Sequence, residues 1–343
     1  MKKSVSTLLM VLLSVLAAGI LVSTAILMSG AASRYRESVA TEQLAAADKA
    51  IFQNVLVMRA HRGDIQSALL SEDDPRAKLT EYQGIEAKGY DGIAAALAGV
   101  DMPERDDLVA KLKSAWDATV PQFKLLFDEA AKPRAERVLA RTNAWYEAMT
   151  KTLDAANAAS LAVSNRAWMT DPAIAKMVQA RRLAWQVRDR YGLQCSALRP
   201  NINSSKPLDE AQKLATAQGR GTINAGWSGL GDLTAGAEGT ALAAAVKRSR
   251  VEVDAAHQRM DQIPKSLDGS GKPVMPAPEW NAFCQGPFQG IIAVGMTALD
   301  ASIARAEAIR AAALSSLIVQ SVAFVAALLV AAAALRSVRV RLV

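Results

Sequence analysis

The sequence has little of what most enzyme active sites are built from. It contains two histidines, His61 and His257, and two cysteines, Cys195 and Cys284. It therefore lacks a histidine-based zinc site, a Glu-x-x-His di-iron pair and a Cys-x-x-Cys-His haem attachment. It also lacks a P-loop, a G-x-S-x-G elbow, and a G-x-G-x-x-G placed between a strand and a helix. We expect no enzymatic activity, no cofactor and no metal site.

Aromatic residues make up 5% of the chain, alanine is abundant, and alternating β-branched runs are nearly absent. This composition predicts helices throughout. The net charge is +7, but the basic residues are spread evenly, apart from those at the two ends. The even distribution argues against a nucleic-acid surface.

Charge is missing from two long stretches, Leu8–Met28 and Leu314–Leu335. About 20 apolar residues in a helix cross a hydrocarbon core of roughly 30 Å, so both stretches are predicted transmembrane helices. They are flanked by the basic residues Lys2, Lys3, Arg336, Arg339 and Arg341. Since Lys and Arg mark the cytoplasmic side, we expect both termini inside and residues 29–313 outside. The alternatives are a buried core helix for the second stretch and, for the first, a signal peptide cleaved within residues 29–33.

Prolines and capping residues divide the exported segment into eight predicted helices. The first continues the first span to about Leu70. Pro121 is expected to kink the third, Lys132-Pro133 to start the fourth, and the fifth to end before Pro200. The sixth carries five glycines and is either loosely wound or closely packed against a neighbour.

A short repeat groups these helices. Arg59–Leu69 and Arg188–Leu198 share the pattern R-x3-G-x3-S-A-L, and each copy closes the first helix of a set of four. The predicted fold is all-α: two up-and-down four-helix-bundle modules flanked by two transmembrane helices. The predicted segments are a cytoplasmic tail (1–7), the first span (8–28), module one (29–169), module two (170–313), the second span (314–335) and a cytoplasmic linker (336–343).

The up-and-down order places the two cysteines at nearly the same height, since Cys195 precedes Pro200 by about a turn and Cys284 follows Pro278 by under two turns. An oxidising compartment permits a disulfide between the fifth and eighth helices, and two buried free thiols are the alternative.

The remaining chemistry lies in the arginines. Guanidinium groups suit planar anions, and an arginine beside a bundle core needs a partner. We select Arg59, Arg62, Arg182 and Arg188 as candidate ligand-binding residues, with the repeat-matched pair Arg59 and Arg188 first. The alternative for each is a solvated helix face or an ion pair with a nearby carboxylate.

This layout, with a basic juxtamembrane segment from Arg336 to Val343 that looks like the opening of a HAMP linker, resembles bacterial chemoreceptors (methyl-accepting chemotaxis proteins) and sensor histidine kinases. The tandem helical region is similar to nitrate-sensing (NIT-type) or helical bimodular sensor domains, and Arg59–Gly63 and Arg188–Gly192 resemble the arginine-rich segment of NIT-type helices. The resemblance implies a periplasmic sensor in a two-pass inner-membrane homodimer, with nitrate or a small carboxylate as ligand.

The chain ends at Val343, before any complete HAMP or signalling domain, so we expect either a piece of a longer receptor or a protein that signals through a partner. The output domain, whether chemotactic, kinase or cyclase, stays open. A second hypothesis is a membrane-anchored helical protein that docks a periplasmic partner without binding a small ligand.

Overall fold

The computed structural model describes residues 2–342, without the side chains of residues 2–6, 9, 63, 67, 70, 277, 278, 341 and 342. The side chains of Lys2, Lys3 and Arg341, which form part of the predicted basic flanks, lie outside what the structure describes. The same holds for the surroundings of the repeat positions Gly63 and Ser67.

Residues 2–342 fold into α-helices joined by loops and short 3-10 turns, with no β-strand in that range. The helices are α1 (Lys2–Ser71), α2 (Arg76–Ala98), α3 (Arg105–Thr119), α4 (Phe123–Ala130), α5 (Asn143–Trp168), α6 (Pro172–Ser204), α7 (Glu210–Thr234), α8 (Ala241–Met260) and α9 (Ala277–Leu342). The prediction of an all-α fold is confirmed.

Three predicted helix boundaries were wrong. Pro121 does not merely kink a helix but sits in a 3-10 turn, Val120–Gln122, that separates α3 from α4. The fourth predicted helix begins at Asn143 rather than at Lys132-Pro133, because Pro133 and Val138 have extended backbone and two 3-10 turns fill the interval.

The third difference concerns Pro200, which lies inside α6. A proline within a helix frees the carbonyl four residues earlier, here that of Ser196. Ser196 and Pro200 both lie on the exposed side of α6, where water can hydrate the freed carbonyl. The helix therefore continues to Ser204.

The chain divides into two compact units. A terminal unit comprises Met1–Leu44 and Ala304–Val343, and a bundle unit comprises Ala45–Ile303. The predicted boundary between modules at residues 169 and 170 falls inside the bundle unit and stays a prediction.

In the terminal unit, parts of α1 and α9 are joined by Arg310, which donates to both carboxylate oxygens of Glu42 at 2.9 and 2.8 Å. Both helices contain 18-residue windows with mean hydropathies of 2.5 and 2.4, none of whose residues is buried. Both are therefore long and apolar enough to cross a membrane, and the windows do not form a buried core within this structure.

In the bundle unit, pair contacts give the helix directions. Asp48 and Arg59 of α1 contact Arg181 and Asp189 of α6, so these two helices run parallel. Gln194 of α6 meets Thr216 of α7, and further down Val187 meets Gly226, so α7 runs antiparallel to α6. The sets α1–α5 and α6–α9 thus lie side by side, with α1 and α6 at the seam between them.

Three of the five glycines of α7, Gly219, Gly226 and Gly229, pack closely against α6. A Cβ on Gly226 would lie 2.6 Å from Cγ2 of Val187. The close-packing alternative for this glycine-rich helix is therefore the one observed, and loose winding is not.

Cys195 of α6 and Cys284 of α9 form a disulfide with their Cα atoms 6.2 Å apart, which confirms the predicted pair. The neighbouring Trp280 is fully buried and donates its indole N–H to the Cys195 carbonyl at 3.1 Å. A covalent link and a hydrogen bond thus join α6 and α9 at the same point.

Candidate functional site: arginines between α1 and α6

Arginines lie on the core-facing sides of two helices of the bundle unit, with Arg181 buried and Arg62 and Arg188 half-buried. On α6, Arg181 and Arg188 follow the buried Ile174 at intervals of seven residues. On α1, Arg62 lies seven residues after the buried Val55. Residues seven apart lie on the same helix face, so the fold carries these charges into the protein interior.

The repeat-matched arginines meet at one aromatic ring. Cζ of Arg59 lies 5.2 Å and Cζ of Arg188 lies 5.7 Å from the centroid of Trp185. Arg188 also lies 4.8 Å from the ring of Phe288 on α9. Cation–π contact with these half-buried rings holds a guanidinium in place without neutralising its charge.

The two arginines differ in their partners. Arg59 forms an ion pair with Asp189, the residue next to Arg188. Arg188 forms no hydrogen bond or ion pair with any described residue, and its Nε is buried without an acceptor. Burial, reinforced by the positive charge of Arg59, lowers the pKa of Arg188 to about 10. Arg188 therefore remains charged at neutral pH without a bound anion.

Arg62 lies beside this pair. Its Nη1 donates to Thr150 Oγ1 of α5 at 2.7 Å, and its Cζ lies 4.3 Å from the centroid of Tyr146. Burial lowers the pKa of Arg62, and the charge of Arg59 lowers it further. We call Arg59, Arg62 and Arg188 the arginine cluster.

A further carboxyl group that acts on the arginine cluster is that of Glu86 of α2. It is fully buried, and neither of its oxygens has a hydrogen-bond partner. Burial raises the pKa of Glu86 to about 9, although Arg62 opposes the rise. Glu86 is therefore neutral at pH 7 and does not balance the charge of Arg62.

A second charged group lies elsewhere on the same seam. Arg181 donates to Asp48 Oδ1 at 2.7 Å, and Ser160 of α5 donates to the same oxygen at 3.1 Å. Burial raises the pKa of Asp48, against the opposing effects of Arg181 and Ser160. This pair satisfies its own charge and ties α1, α5 and α6 together.

The fourth predicted ligand residue, Arg182, belongs to this second group. It donates to Ser164 and Asn165 of α5 at 3.0 and 2.5 Å, and its Cζ lies 5.4 Å from the ring of Trp168. Burial, together with the charge of Arg181, lowers its pKa. The structure therefore brings three of the four predicted arginines together and leaves Arg182 apart.

The net charge of the cluster determines what it can bind. Two carboxylates lie close to the three guanidinium groups: Asp189 pairs with Arg59, and the charge of Asp154 acts on Arg62. Glu86 is neutral and adds no third negative charge. The surplus is positive and partly desolvated, which is costly unless an anion compensates for it. Guanidinium groups hold planar oxyanions through paired N–H donors.

Sequence reasoning missed Glu86, Trp185, Tyr146 and Asp189. A signal for Glu86 was present, since it lies midway between the buried Leu79 and Ile93 at intervals of seven. A carboxylate in such a core position predicts either a buried partner or a shifted pKa. No comparable signal identifies Asp189, whose partner comes from a distant helix.

Comparison of the chain with protein-family models, with curated protein sequences and with solved structures finds no match.

Proposed function

We propose that this chain is the sensory and membrane portion of a bacterial chemoreceptor, and that it binds a small anion at the arginine cluster. In this proposal α1 and α9 cross the inner membrane, residues of about 29–313 lie in the periplasm, and the protein is a homodimer. Nitrate and small carboxylates are the proposed ligands. Sensor kinases and cyclases share this layout, so the same sensing and transmission would serve any of these output domains.

The observation that carries the ligand proposal is the unpaired charge of Arg188. A guanidinium that is largely buried, stacked on two aromatic rings and without a carboxylate is a positioned anion receptor. Arg59 and Arg62 add positive potential from the neighbouring helix. The bundle's other buried guanidinium on this seam, Arg181, has its own carboxylate and offers no such site.

Signal transmission is proposed to use the contacts of the cluster. Arg59 lies on α1, whereas Arg188 lies on α6 and touches Phe288 of α9. An anion shared by Arg59 and Arg188 would favour one register of α1 against α6 and α9. Since α9 is one continuous helix from Ala277 to Leu342, a shift of one or two ångströms at the cluster would be carried along its axis.

The test is a thermal-unfolding screen of the full chain in detergent micelles, followed by intrinsic tryptophan fluorescence. Nitrate, nitrite, acetate and small dicarboxylates are added at millimolar concentrations. A ligand at a hundred times its dissociation constant stabilises the folded state by about 2.7 kcal/mol, which is a shift of several degrees.

Two variants make the screen specific. Arg188→Ala is expected to remove the ligand-induced shift, whereas Arg190→Ala, an exposed arginine on the same helix, is expected to keep it. A flat screen with a folded protein contradicts the ligand proposal and favours the partner-docking alternative. Tags after Val343 and in the loop before α9 are expected to report opposite sides of the membrane.

A further inference from the structure

A buried carboxyl group lies at the edge of the proposed anion site and has no role in the proposed binding or transmission. Glu86 of α2 is fully buried, and both of its oxygens lack hydrogen-bond partners. A buried carboxylate without donors is unfavourable, so the group persists only in its neutral form or with a cationic neighbour. Its local packing is tight, because a Cβ on Gly89, one turn further along α2, would lie 2.6 Å from Met58 of α1.

The charged neighbours of Glu86 are few. Helices α1 and α2 run antiparallel, with Met58 against Gly89 and Asn54 against Gly92, so Arg62, one turn beyond Met58, lies level with Glu86. Arg62 is the one described charge that acts on Glu86. Helices α3 and α4 also pack against α2 but contribute no charged group to its environment. Tyr146 and Asp154 of α5 act on Arg62 rather than on Glu86. Proton exchange at Glu86 is therefore linked to the cluster through Arg62.

We infer that Glu86 is a built-in competitor of the anionic ligand: its ionised carboxylate pairs with Arg62 and excludes the anion, and its protonation releases Arg62 for binding. This inference rests on the proposed function, because it concerns the regulation of the same site. It makes anion binding proton-linked, so that the sensor responds to the anion only when Glu86 carries its proton.

The sign of the linkage follows from charge. An anion at the cluster and a charged Glu86 share one guanidinium, so each disfavours the other. With a ligand-free pKa of about 9 for Glu86, affinity is constant at neutral pH and falls above that value. If the ionised form excludes the ligand, Glu86 alone raises the apparent dissociation constant about twofold at pH 9 and about tenfold at pH 10.

The experiment measures nitrate binding to the full chain in detergent by calorimetry between pH 6 and pH 10. Nitrate keeps its charge over this range, so changes report the protein. Glu86→Gln keeps the size and the neutral state of the side chain. Glu86→Leu matches the buried Leu79 and Ile93 of the same helix face and serves if the amide variant does not fold.

The wild type is expected to lose affinity above pH 8.5 and to take up about half a proton per nitrate at pH 9, measured in two buffers of different ionisation enthalpy. Both variants lack the titrating carboxyl group at position 86, so nitrate binding is expected to cause no proton uptake there. Their affinity falls only nearer pH 10, where Arg188 begins to lose its charge. The difference between the wild-type and variant profiles therefore isolates Glu86.

Each outcome decides between the claims. Nitrate binding with identical pH profiles in wild type and Glu86→Gln overturns the competitor role and leaves the anion site standing. Absence of binding by nitrate and by acetate, in every variant and at every pH, overturns both. The melting temperature without ligand is a control. As pH rises from 5 to 8, the unfolded wild type releases a proton that the folded wild type keeps, so the wild type must lose stability relative to Glu86→Gln. A constant difference between the two melting temperatures overturns the assignment of a buried neutral carboxyl.

Discussion

Arg59 and Arg188 face the same indole, that of Trp185, at 5.2 and 5.7 Å, although they come from different helices and only one of them has a carboxylate partner. The two arginines are equivalent in the sequence repeat but not in their environments. Arg59 is paired with Asp189, whereas Arg188 is half-buried and has no ion pair with a described residue. This asymmetry is what makes the pair a candidate receptor rather than a structural ion pair.

Removing Asp48 is expected to destabilise the bundle strongly. Asp48→Ala leaves the guanidinium of Arg181, whose side chain is 7% exposed, without its anion, at a cost of about 3–5 kcal/mol. Replacing both with apolar residues, as in Asp48→Leu with Arg181→Met, is expected to restore most of the loss. The measurement is urea unfolding in detergent, followed by tryptophan fluorescence.

The control for that experiment is the exposed pair of Asp74 and Arg76. Asp74→Ala is expected to leave the unfolding midpoint unchanged, because water solvates both charges. Equal effects at Asp48 and Asp74 would contradict the buried role of the first pair.

Arg137 is expected to be essential for the irregular segment between α4 and α5. It is 9% exposed and donates to the carbonyls of Leu69, Glu72 and Asp73 at the end of α1 and of Lys132 after α4. These are unpaired helix-end acceptors that would otherwise lack donors. Arg137→Ala is expected to cost about 3 kcal/mol or more, and Arg137→Lys nearly as much, because an ammonium lacks the fork.

Calorimetric melting of these variants tests the role of Arg137 as a donor to these carbonyls, with Arg141→Ala as the matched control. Arg141 lies four residues later with a 60% exposed side chain. A similar loss of melting temperature in both alanine variants would contradict the capping role.

Two glycines of α7 are expected to respond to alanine in opposite ways. In Gly226→Ala the new methyl group meets Val187 at 2.6 Å, and the forced separation of α6 and α7 is expected to cost about 1–3 kcal/mol. In Gly221→Ala the methyl group meets nothing within 4 Å, and the gain in helix propensity is about 0.5–1 kcal/mol. The melting temperature is expected to fall in Gly226→Ala and to rise in Gly221→Ala. A rise in both variants would show that α6 and α7 are not in close contact at Gly226.

His257 is expected to make the fold acid-sensitive. It is 3% exposed, and its Nε2 lies 3.1 Å from Gln194 Oε1. Burial, reinforced by Arg220, lowers the pKa of His257 to about 4 from its usual 6.5. Between these values the unfolded chain binds a proton that the folded chain does not, so stability falls as pH drops from 6.5 to 4.

The loss amounts to at most about 3 kcal/mol. His257→Gln is expected to flatten this part of the stability profile, whereas His61→Gln is the control that retains it. Melting temperatures at pH 7, 5.5 and 4 provide the measurement, and parallel profiles for wild type and His257→Gln would refute the assignment.

Periodicity and turn chemistry predicted most of the fold. The apolar ends, the all-α class, the pairing of Cys195 with Cys284 and the close packing of the glycine-rich helix follow from local sequence and from helix order. The late start of α5 did not, because Arg137, a residue within the segment itself, fixes that backbone through the carbonyls of another helix. Such a tertiary contact leaves no local signature.

The site was predicted less completely, for a related reason. Repeat matching selected Arg59 and Arg188, and the structure places them at one ring. Arg182 is adjacent in sequence to Arg181, yet Arg181 donates to Asp48 of α1 whereas Arg182 donates to Ser164 of α5. Charge balance at the cluster depends on the burial of Glu86 and on the pairing of Asp189 with Arg59, a residue of another helix.

The disulfide between Cys195 and Cys284 has a mechanical consequence. The disulfide links α6 to α9, and Trp280 is hydrogen-bonded to Cys195 at the same point. The two helices are therefore expected to move together there. A displacement of α9 at this point therefore also displaces α6, which carries Arg188. Reduction would remove the covalent link and leave α9 attached to α6 by the Trp280 hydrogen bond and by the packing of Phe288 on Tyr191.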